Sequence, residues 1–444
     1  MIVAVAFVPL AIWAYLLFGR GWFWLCDERD DSAMAVSGVR LERAAFGSNR
    51  HREERSDAAI QGVVRRPTTP GLLRFARNDD RGSSQIQSAA SNESESCPTV
   101  VAIIPARDEA DMIARSVGSL LRQDYPGRFS VVVVDDQSTD GTVAAASAAA
   151  SEAQASDRFQ IVTGNGPPPG WTGKLSAMRQ GLTEVESGAA KPEFILFTDA
   201  DIAYAPHVLS RLVTIARRNN SVLTSLMVKL RCESAAERWL APAFVFFFQM
   251  LYPFAWVNDP RRGTAAAAGG CMLVRRESLY AAGGLDAVRG ALIDDCALGA
   301  LMKGQGPIWL GLTESVDSLR AYPTFADFGR MVARSAFAEL RYSPLRLGGA
   351  IGGMALVYVA PPLFAIFARG VAQATGALAW AMMALSLMPT LRLYGRSLIG
   401  ALALPAIAVA YVAFTFDSAI QYWRGRGGYW KGRIQAPMRE TGRA

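Results

Sequence analysis

Three pairs of aspartates have the spacing of groups that bind a metal ion or move a proton. They are Asp135-Asp136, Asp199 with Asp201, and Asp294-Asp295. Adjacent carboxylates repel each other unless a partner lies beside them, so we expect Asp136 to bind a ligand. Asp294-Asp295 fits a metal site, or a general base whose pKa its neighbour tunes. It also fits a helix N-terminus, where acidic side chains are favourable.

Asp199 and Asp201 directly follow the apolar run Phe194–Thr198. If the chain stays extended there, alternation places both carboxylates on one side. Carboxylate oxygens are the ligands that Mg²⁺ and Mn²⁺ prefer, and such an ion could neutralise a diphosphate leaving group. The alternative is a solvated loop end with no ligand. A buried strand just before the pair favours the metal site.

Two glycine-containing segments could bring the backbone close to a ligand. In Gly170-Trp-Thr-Gly173-Lys174 the lysine could meet a phosphate, although the spacing is not that of a P-loop. Gly269-Gly270 begins the second segment, which continues to Arg276. A plain surface loop is the alternative for the first segment.

Strand and helix patterns alternate from Pro98 to about Tyr322. Val100–Pro105, Val131–Val134 and Phe194–Thr198 are typical of buried strands. This alternation predicts an α/β domain with a mostly parallel sheet. Ligands of such sheets bind at the carboxyl ends of the strands, where the aspartates and Lys174 lie.

The composition indicates a membrane protein. Hydrophobic residues make up 51% of the 444 residues and charged residues 19%. We predict an N-terminal transmembrane anchor at 1–25, a disordered linker or insertion at 26–96, the α/β domain at 97–345, about three transmembrane helices at 346–420 and a basic tail at 421–444. Arginines before the last apolar block place the α/β domain in the cytoplasm by the positive-inside rule. Three spans would put the tail on the opposite side, whereas its basic residues favour the cytoplasm, and both alternatives stay open.

Other partner classes are less consistent with the sequence. The net charge is +7, which alone would suit nucleic acid, but the charges of segment 27–96 cancel. We therefore expect no nucleic-acid partner. The five cysteines have no C-x-x-C spacing, which argues against a structural zinc site or a disulfide framework.

Taken together, these motifs resemble family 2 glycosyltransferases of the GT-A fold. The matching strings are Ile103-Ile-Pro-Ala-Arg-Asp-Glu109, Asp135-Asp136 with Asp140-Gly141, Asp199-Ala-Asp201, Gly269–Arg276 and Asp294-Asp295. Within the family they are most similar to the hopene-associated glycosyltransferases of bacterial hopanoid gene clusters. Supporting strings are Asp27–Asp30, Gly170–Lys174, Ile293–Leu298 and Leu340–Pro344.

The resemblance implies a role for each matching residue. Asp136 would contact the uracil of the donor, Asp199 and Asp201 would hold the metal and the diphosphate, and Asp295 would be the general base. Donor binding would further involve Pro105, Arg107, Glu109 and Lys174. Gly269, Gly270, Arg330 and Arg334 would lie on the acceptor side. The base motif of the family is usually Glu-Asp, so Asp294 remains a second candidate for the base.

We therefore expect a membrane-bound inverting enzyme that moves one sugar from a nucleotide-sugar to a lipid, with Mg²⁺ or Mn²⁺ as cofactor. Its location would be the bacterial inner membrane. A processive polysaccharide synthase is the first alternative, but the Gln-x-x-Arg-Trp motif of such enzymes is absent, since the chain reads Arg330-Met-Val-Ala-Arg334-Ser335. The second is a catalytically silent membrane protein that binds sugar nucleotides.

Overall fold

One eight-stranded sheet forms the centre of the α/β part of the chain, in a computed structural model that describes residues 2–35, 97–188, 191–429, 431–433 and 435. Its strands are β1 (Val100–Ala106), β2 (Phe129–Asp135), β3 (Phe159–Thr163), β4 (Phe194–Phe197), β5 (Ile202–Tyr204), β6 (Leu223–Lys229), β7 (Met272–Arg275) and β8 (Ile308–Ser318). They lie in the order β3-β2-β1-β4-β7-β6-β8-β5, and only β5 and β7 run antiparallel to their neighbours. The predicted α/β fold with a mostly parallel sheet is confirmed.

Helices cover both faces of this sheet, which explains why central strands such as β1 are apolar at every position and buried throughout. The helices of the α/β part are α3 (Ala110–Leu121), α4 (Thr142–Glu152), α5 (Gly173–Ser187), α6 (Val208–Arg218), α7 (Ala235–Leu251), α8 (Phe254–Asn258), α9 (Arg276–Ala281), α10 (Asp294–Lys303), α11 (Phe325–Ala333) and α12 (Ala336–Glu339). They are preceded by α1 (Ile2–Phe18) and α2 (Asp30–Ala35).

The register of the strands brings their carboxyl ends to one edge. Val100 in β1 pairs with Phe129 in β2 and with Phe194 in β4. The residues that follow these strands therefore emerge side by side. Strand β7 runs the other way, so the loop that precedes it reaches the same edge. The fold thus gathers the ends of β1, β2 and β4 and the loop before β7, which are distant in the sequence, at one edge of the sheet.

Three C-terminal helical segments are long and apolar enough to cross a membrane: Pro344–Phe367, Val371–Leu393 and Leu398–Trp423. In the first, α13 (Pro344–Met354) continues through a π-helical turn into α14 (Ala360–Phe367). The second is α15 (Val371–Leu393), and the third is a 3-10 turn followed by α16 (Leu404–Trp423). The expected three apolar segments are present.

Helix α1 is apolar but shorter than these three segments. It packs against the C-terminal helices, where the Trp13 indole donates a hydrogen bond to the carbonyl of Val357 at 2.9 Å. Many of its large side chains are exposed, among them Phe7, Tyr15 and Phe18. The N-terminal transmembrane anchor stays a prediction.

Residues 26–31, at the start of the predicted linker, pack against the α/β domain. The backbone of Glu28 accepts a hydrogen bond from Leu312 at 2.8 Å, and Asp30 is buried against Arg211 and Thr313. These contacts hold Glu28 and Asp30 against the domain, and the bounds of the predicted linker stay a prediction. Residues 36–96, which we predicted to be disordered, lie outside the described residues.

Helix α16 stays close to the α/β part of the chain. The Tyr411 hydroxyl donates to the carbonyl of Leu240 in α7 at 2.8 Å, and the ring of Tyr422 stacks on Tyr342 with centroids 4.4 Å apart. Near its end, the Ser418 hydroxyl accepts a hydrogen bond from the backbone of Phe337 at 3.0 Å. The chain therefore leaves α16 beside the α/β domain, and the described part of the basic tail lies next to this domain.

Candidate active site

Lys174 joins two of the predicted aspartate motifs. Its ammonium nitrogen lies 2.8 Å from Asp199 Oδ1 and 3.1 Å from Asp294 Oδ2. Lys174 is in the first turn of α5, whose start is capped by the Thr172 hydroxyl. Burial opposes the charged form of Lys174, but the carboxylates of Asp199 and Asp294 outweigh it and raise its pKa. A permanent cation therefore lies between the end of β4 and the start of α10.

Asp295 lies beside this cation and is held by the backbone. Its Oδ2 accepts a hydrogen bond from the N–H of Gly269 at 2.9 Å, and its Oδ1 accepts one from Cys296 at 2.8 Å. Burial, followed by the charge of Asp294, raises the pKa of Asp295 to about 6. A carboxyl group with a pKa near neutrality, fixed by two backbone donors, has the properties of a general base.

Asp201 is paired with an arginine that the sequence analysis did not single out. Arg320 Nε lies 2.6 Å from Asp201 Oδ2, and its Nη2 donates to both oxygens of Glu109 at 2.7 and 2.8 Å. Arg320 follows β8, at the same edge of the sheet as the other site residues. The rule that ligands bind at the carboxyl ends of parallel strands points to this position as well.

Asp136 lies at the end of β2, almost fully buried. Burial raises its pKa, and the guanidinium of Arg433, which is paired with its carboxylate, opposes the shift. Arg107 donates from Nη1 to the backbone carbonyl of Asp136 at 2.5 Å. The predicted donor residues Arg107 and Asp136 therefore lie together.

A cavity of about 520 Å³, here called the donor-side cavity, joins the groups at the ends of β1, β4 and β8, whereas Arg107 and Asp136 are not among its lining residues. It is lined by Pro105, Glu109, Lys174, Asp199 and Asp201 of the predicted set, and by Arg320. The structure thus brings together the carboxyl ends of β1, β4 and β8 around one volume.

A second cavity, of about 410 Å³, opens beside Asp294 and Asp295 and is mostly apolar. Its walls come from α7, α11, α13 and α16, including Phe244, Phe248 and Ile351. The cavity therefore runs from the carboxylate pair to the apolar helices. No sequence motif marks the phenylalanines as site residues, and only their clustering in the apolar run of α7 indicates them.

The four residues expected on the acceptor side differ in position. Gly269, Gly270 and Arg334 line both cavities, whereas Arg330 lines only the donor-side cavity. Arg330 is held there by an ion pair with Asp327, three residues earlier on α11. Its place on the acceptor side stays a prediction.

Asp199 and Asp201 suit a metal ion that also binds a diphosphate. Among the residues that the structure describes, no group of three or more His, Cys, Asp or Glu side chains is arranged to hold an ion by itself. Mg²⁺ sites commonly use one or two protein carboxylates together with substrate phosphates and water. Each of the two aspartates has one oxygen paired with a cation and another without an ion-pair partner in the described structure. The two residues therefore fit the predicted Mg²⁺ or Mn²⁺ if the phosphates of the substrate and water supply the remaining ligands.

Comparison with known sequences identifies the domain. Residues 101–282 match the sequence model described as Glycosyl transferase family 2. The α/β domain is a family 2 glycosyltransferase domain. An N-acetylglucosaminyltransferase of Rhizobium leguminosarum bv. viciae is 27% identical to the chain over 194 residues, 42% of this chain. The match spans only 41% of the length of that relative.

Solved structures are also similar to part of this chain. The mannosyltransferase PcManGT from Pyrobaculum calidifontis, in complex with GDP-Man and Mn²⁺, is 20% identical, with a TM-score of 0.43 over 76% of this chain and 92% of that chain. S. aureus TarS 1–349 in complex with UDP-GlcNAc is 14% identical, with a TM-score of 0.33 over 77% of this chain and 97% of that chain.

Proposed function

We propose that the chain is a membrane-bound inverting glycosyltransferase that moves one sugar from a nucleotide-sugar to the hydroxyl group of a lipid. The observation that carries this proposal is the apolar cavity that opens at Asp294 and Asp295. The walls of this cavity are aromatic and aliphatic and come in part from the candidate membrane helices, which favours an acceptor with a large apolar part. The lipid would enter from the side of α13 and α16.

In this reaction, Asp295 removes the proton of the acceptor hydroxyl. The N–H groups of Gly269 and Cys296 hold its carboxylate in position, and its pKa of about 6 keeps it ionised at neutral pH. The acceptor oxygen then attacks the anomeric carbon from the face opposite the leaving group, which inverts the configuration. A hydroxyl acceptor needs such a base, whereas an ionised phosphate acceptor does not.

The donor would occupy the cavity between β1, β4 and β8. Asp136 would accept a hydrogen bond from the nucleotide base of the donor, and Lys174 would lie beside the leaving diphosphate. Asp199 and Asp201 would hold Mg²⁺ or Mn²⁺, which would neutralise charge on that diphosphate. We propose a UDP-sugar as donor and a hopanoid as acceptor. Both identities rest on the resemblance of the sequence motifs, as does the location in a bacterial inner membrane with the domain in the cytoplasm.

The proposal is tested with membranes from cells that express the chain. These are incubated with Mn²⁺ or Mg²⁺, a panel of labelled UDP-sugars and an extract of polycyclic lipids. We expect label in an organic-soluble product, lost in EDTA and in the variant Asp201→Ala. Label in an insoluble product of high mass would instead indicate a polysaccharide synthase. Bound UDP without any labelled product would contradict a transfer function with these acceptors.

A further inference from the structure

The basic tail reaches the donor site. Lys431 Nζ lies 3.0 Å from Glu109 Oε1 and donates to the carbonyl of Asp108 at 2.7 Å. Arg433 forms an ion pair with the buried carboxylate of Asp136. These contacts join residues separated by about 300 positions in the sequence. Two cations of the tail are therefore paired with two of the carboxylates expected to bind the donor.

The backbone of the tail is held at this position as well. Arg107 Nε donates to the carbonyl of Lys431 at 3.1 Å, and Arg433 Nη2 donates to the side chain of Gln137 at 3.0 Å. Tyr429 and Lys431 line the donor-side cavity, together with Asp199 and Asp201. The tail is thus a wall of the cavity in which the donor would lie.

The charges of this cavity show what these cations could do. Lys431 pairs with Glu109, Glu109 pairs with Arg320, and Arg320 pairs with Asp201, in one continuous series of ion pairs. Lys431 therefore lies near the carboxylates that would face the diphosphate. A diphosphate adds negative charge to a site already rich in aspartate and glutamate, so cations that can change partner would favour its binding in addition to the metal ion and Lys174.

We infer that Lys431 and Arg433 are donor-binding residues that exchange their carboxylate partners for the diphosphate of the donor. When the uracil of the donor reaches Asp136, Arg433 leaves that carboxylate. Its planar guanidinium then binds the phosphate oxygens, whose geometry it matches. Gly432 lies between the two cations and has a φ of +82°, a backbone conformation that residues other than glycine rarely adopt. The inference rests on the proposed function, because it assumes a nucleoside diphosphate donor.

Two ligands that differ only in the diphosphate test this inference. Dissociation constants for UDP and for uridine are measured on the purified full-length protein in detergent, for the wild type and for Lys431→Ala and Arg433→Ala. Arg426→Ala is the matched control, since Arg426 is an exposed cation of the same tail. We expect each site variant to weaken UDP binding about tenfold or more, the loss of one charge-assisted hydrogen bond. Uridine should bind as before to Lys431→Ala, and more tightly to Arg433→Ala because Asp136 is freed.

The other results separate failure of this inference from failure of the proposed function. Wild-type protein that binds UDP with variants that bind it equally well would overturn only the role of the tail. Tighter UDP binding by Arg433→Ala would also overturn it, because the tail would then compete with the donor. A wild type that binds neither UDP nor GDP would remove the nucleotide donor and the inference together. If the wild type binds GDP and not UDP, the same variants are compared with GDP and guanosine, and the same results support or overturn the role of the tail.

Discussion

Replacing Asp295 with asparagine removes the proposed base and preserves the size of the side chain. General bases contribute about 10²- to 10⁴-fold to a rate, so we expect turnover to fall by that factor, equivalent to about 2.7–5.5 kcal/mol in the barrier. We expect donor binding to change little, because Asp136 follows β2 whereas Asp295 lies in the first turn of α10. The assays are the transfer rate at saturating donor and the dissociation constant of UDP.

The structure also sets a cost in stability for this variant. Each oxygen of Asp295 accepts a backbone hydrogen bond, from Gly269 or from Cys296. Asparagine keeps one acceptor oxygen and turns an amino group towards the other N–H. One buried donor is then left unpaired, which costs about 1–3 kcal/mol of folding free energy. Thermal unfolding should therefore be measured beside turnover, so that loss of folded protein is not counted as loss of the base.

Asp294→Asn is the matched control, because Asp294 is adjacent and pairs with Lys174 rather than with the backbone N–H groups. It should retain more activity than Asp295→Asn. Its neighbouring charge contributes to the raised pKa of Asp295, so its removal should shift the acid limb of the pH profile to lower pH. Near-full turnover by Asp295→Asn, with turnover lost in Asp294→Asn, would refute the assignment of the base.

Three further predictions concern pH, the acceptor cavity and the packing of α10. Below the Asp295 pKa of about 6 the base is protonated, so kcat/KM measured across pH should fall about tenfold per pH unit there and level off above it. Ala350→Trp places an indole in the apolar cavity and should lower kcat/KM for a lipid acceptor at least about tenfold, with UDP binding unchanged. The control is Leu345→Trp, at a residue that is 87% exposed on the same helix, which should have little effect on kcat/KM or on UDP binding. Gly299→Ala would place a Cβ 2.7 Å from the backbone of Ala266, so α10 must shift. Thermal unfolding should show that the free energy of unfolding falls by about 1–3 kcal/mol. Unchanged stability would contradict the close approach of α10 to the backbone at Ala266.

Part of the site could be predicted because its chemistry is local in the sequence. Asp136 and Asp199 each follow a buried strand, and parallel strands of such domains present their carboxyl ends together. Arg320 obeys the same rule but was missed, because β8 runs for 11 residues through a partly polar sequence, Ile308–Ser318, that does not resemble a buried strand at its end. The hydropathy of the C-terminal segments predicted their number, since length and apolar character are also local properties.

The type of domain, the strands that precede Asp136 and Asp199, and the presence of apolar helices are predictable from the sequence, because they follow from neighbouring residues and their periodicity. Which charges meet depends on how the chain folds in three dimensions. Lys174 bridges Asp199 and Asp294, which are 95 positions apart, and Arg433 reaches Asp136 across 297 positions. The position of the tail beside the α/β domain likewise depends on the contacts of α16 with α7 and with the segment after α11. Ion pairs and helix packing between distant segments depend on the path of the chain, and hydropathy does not encode that path.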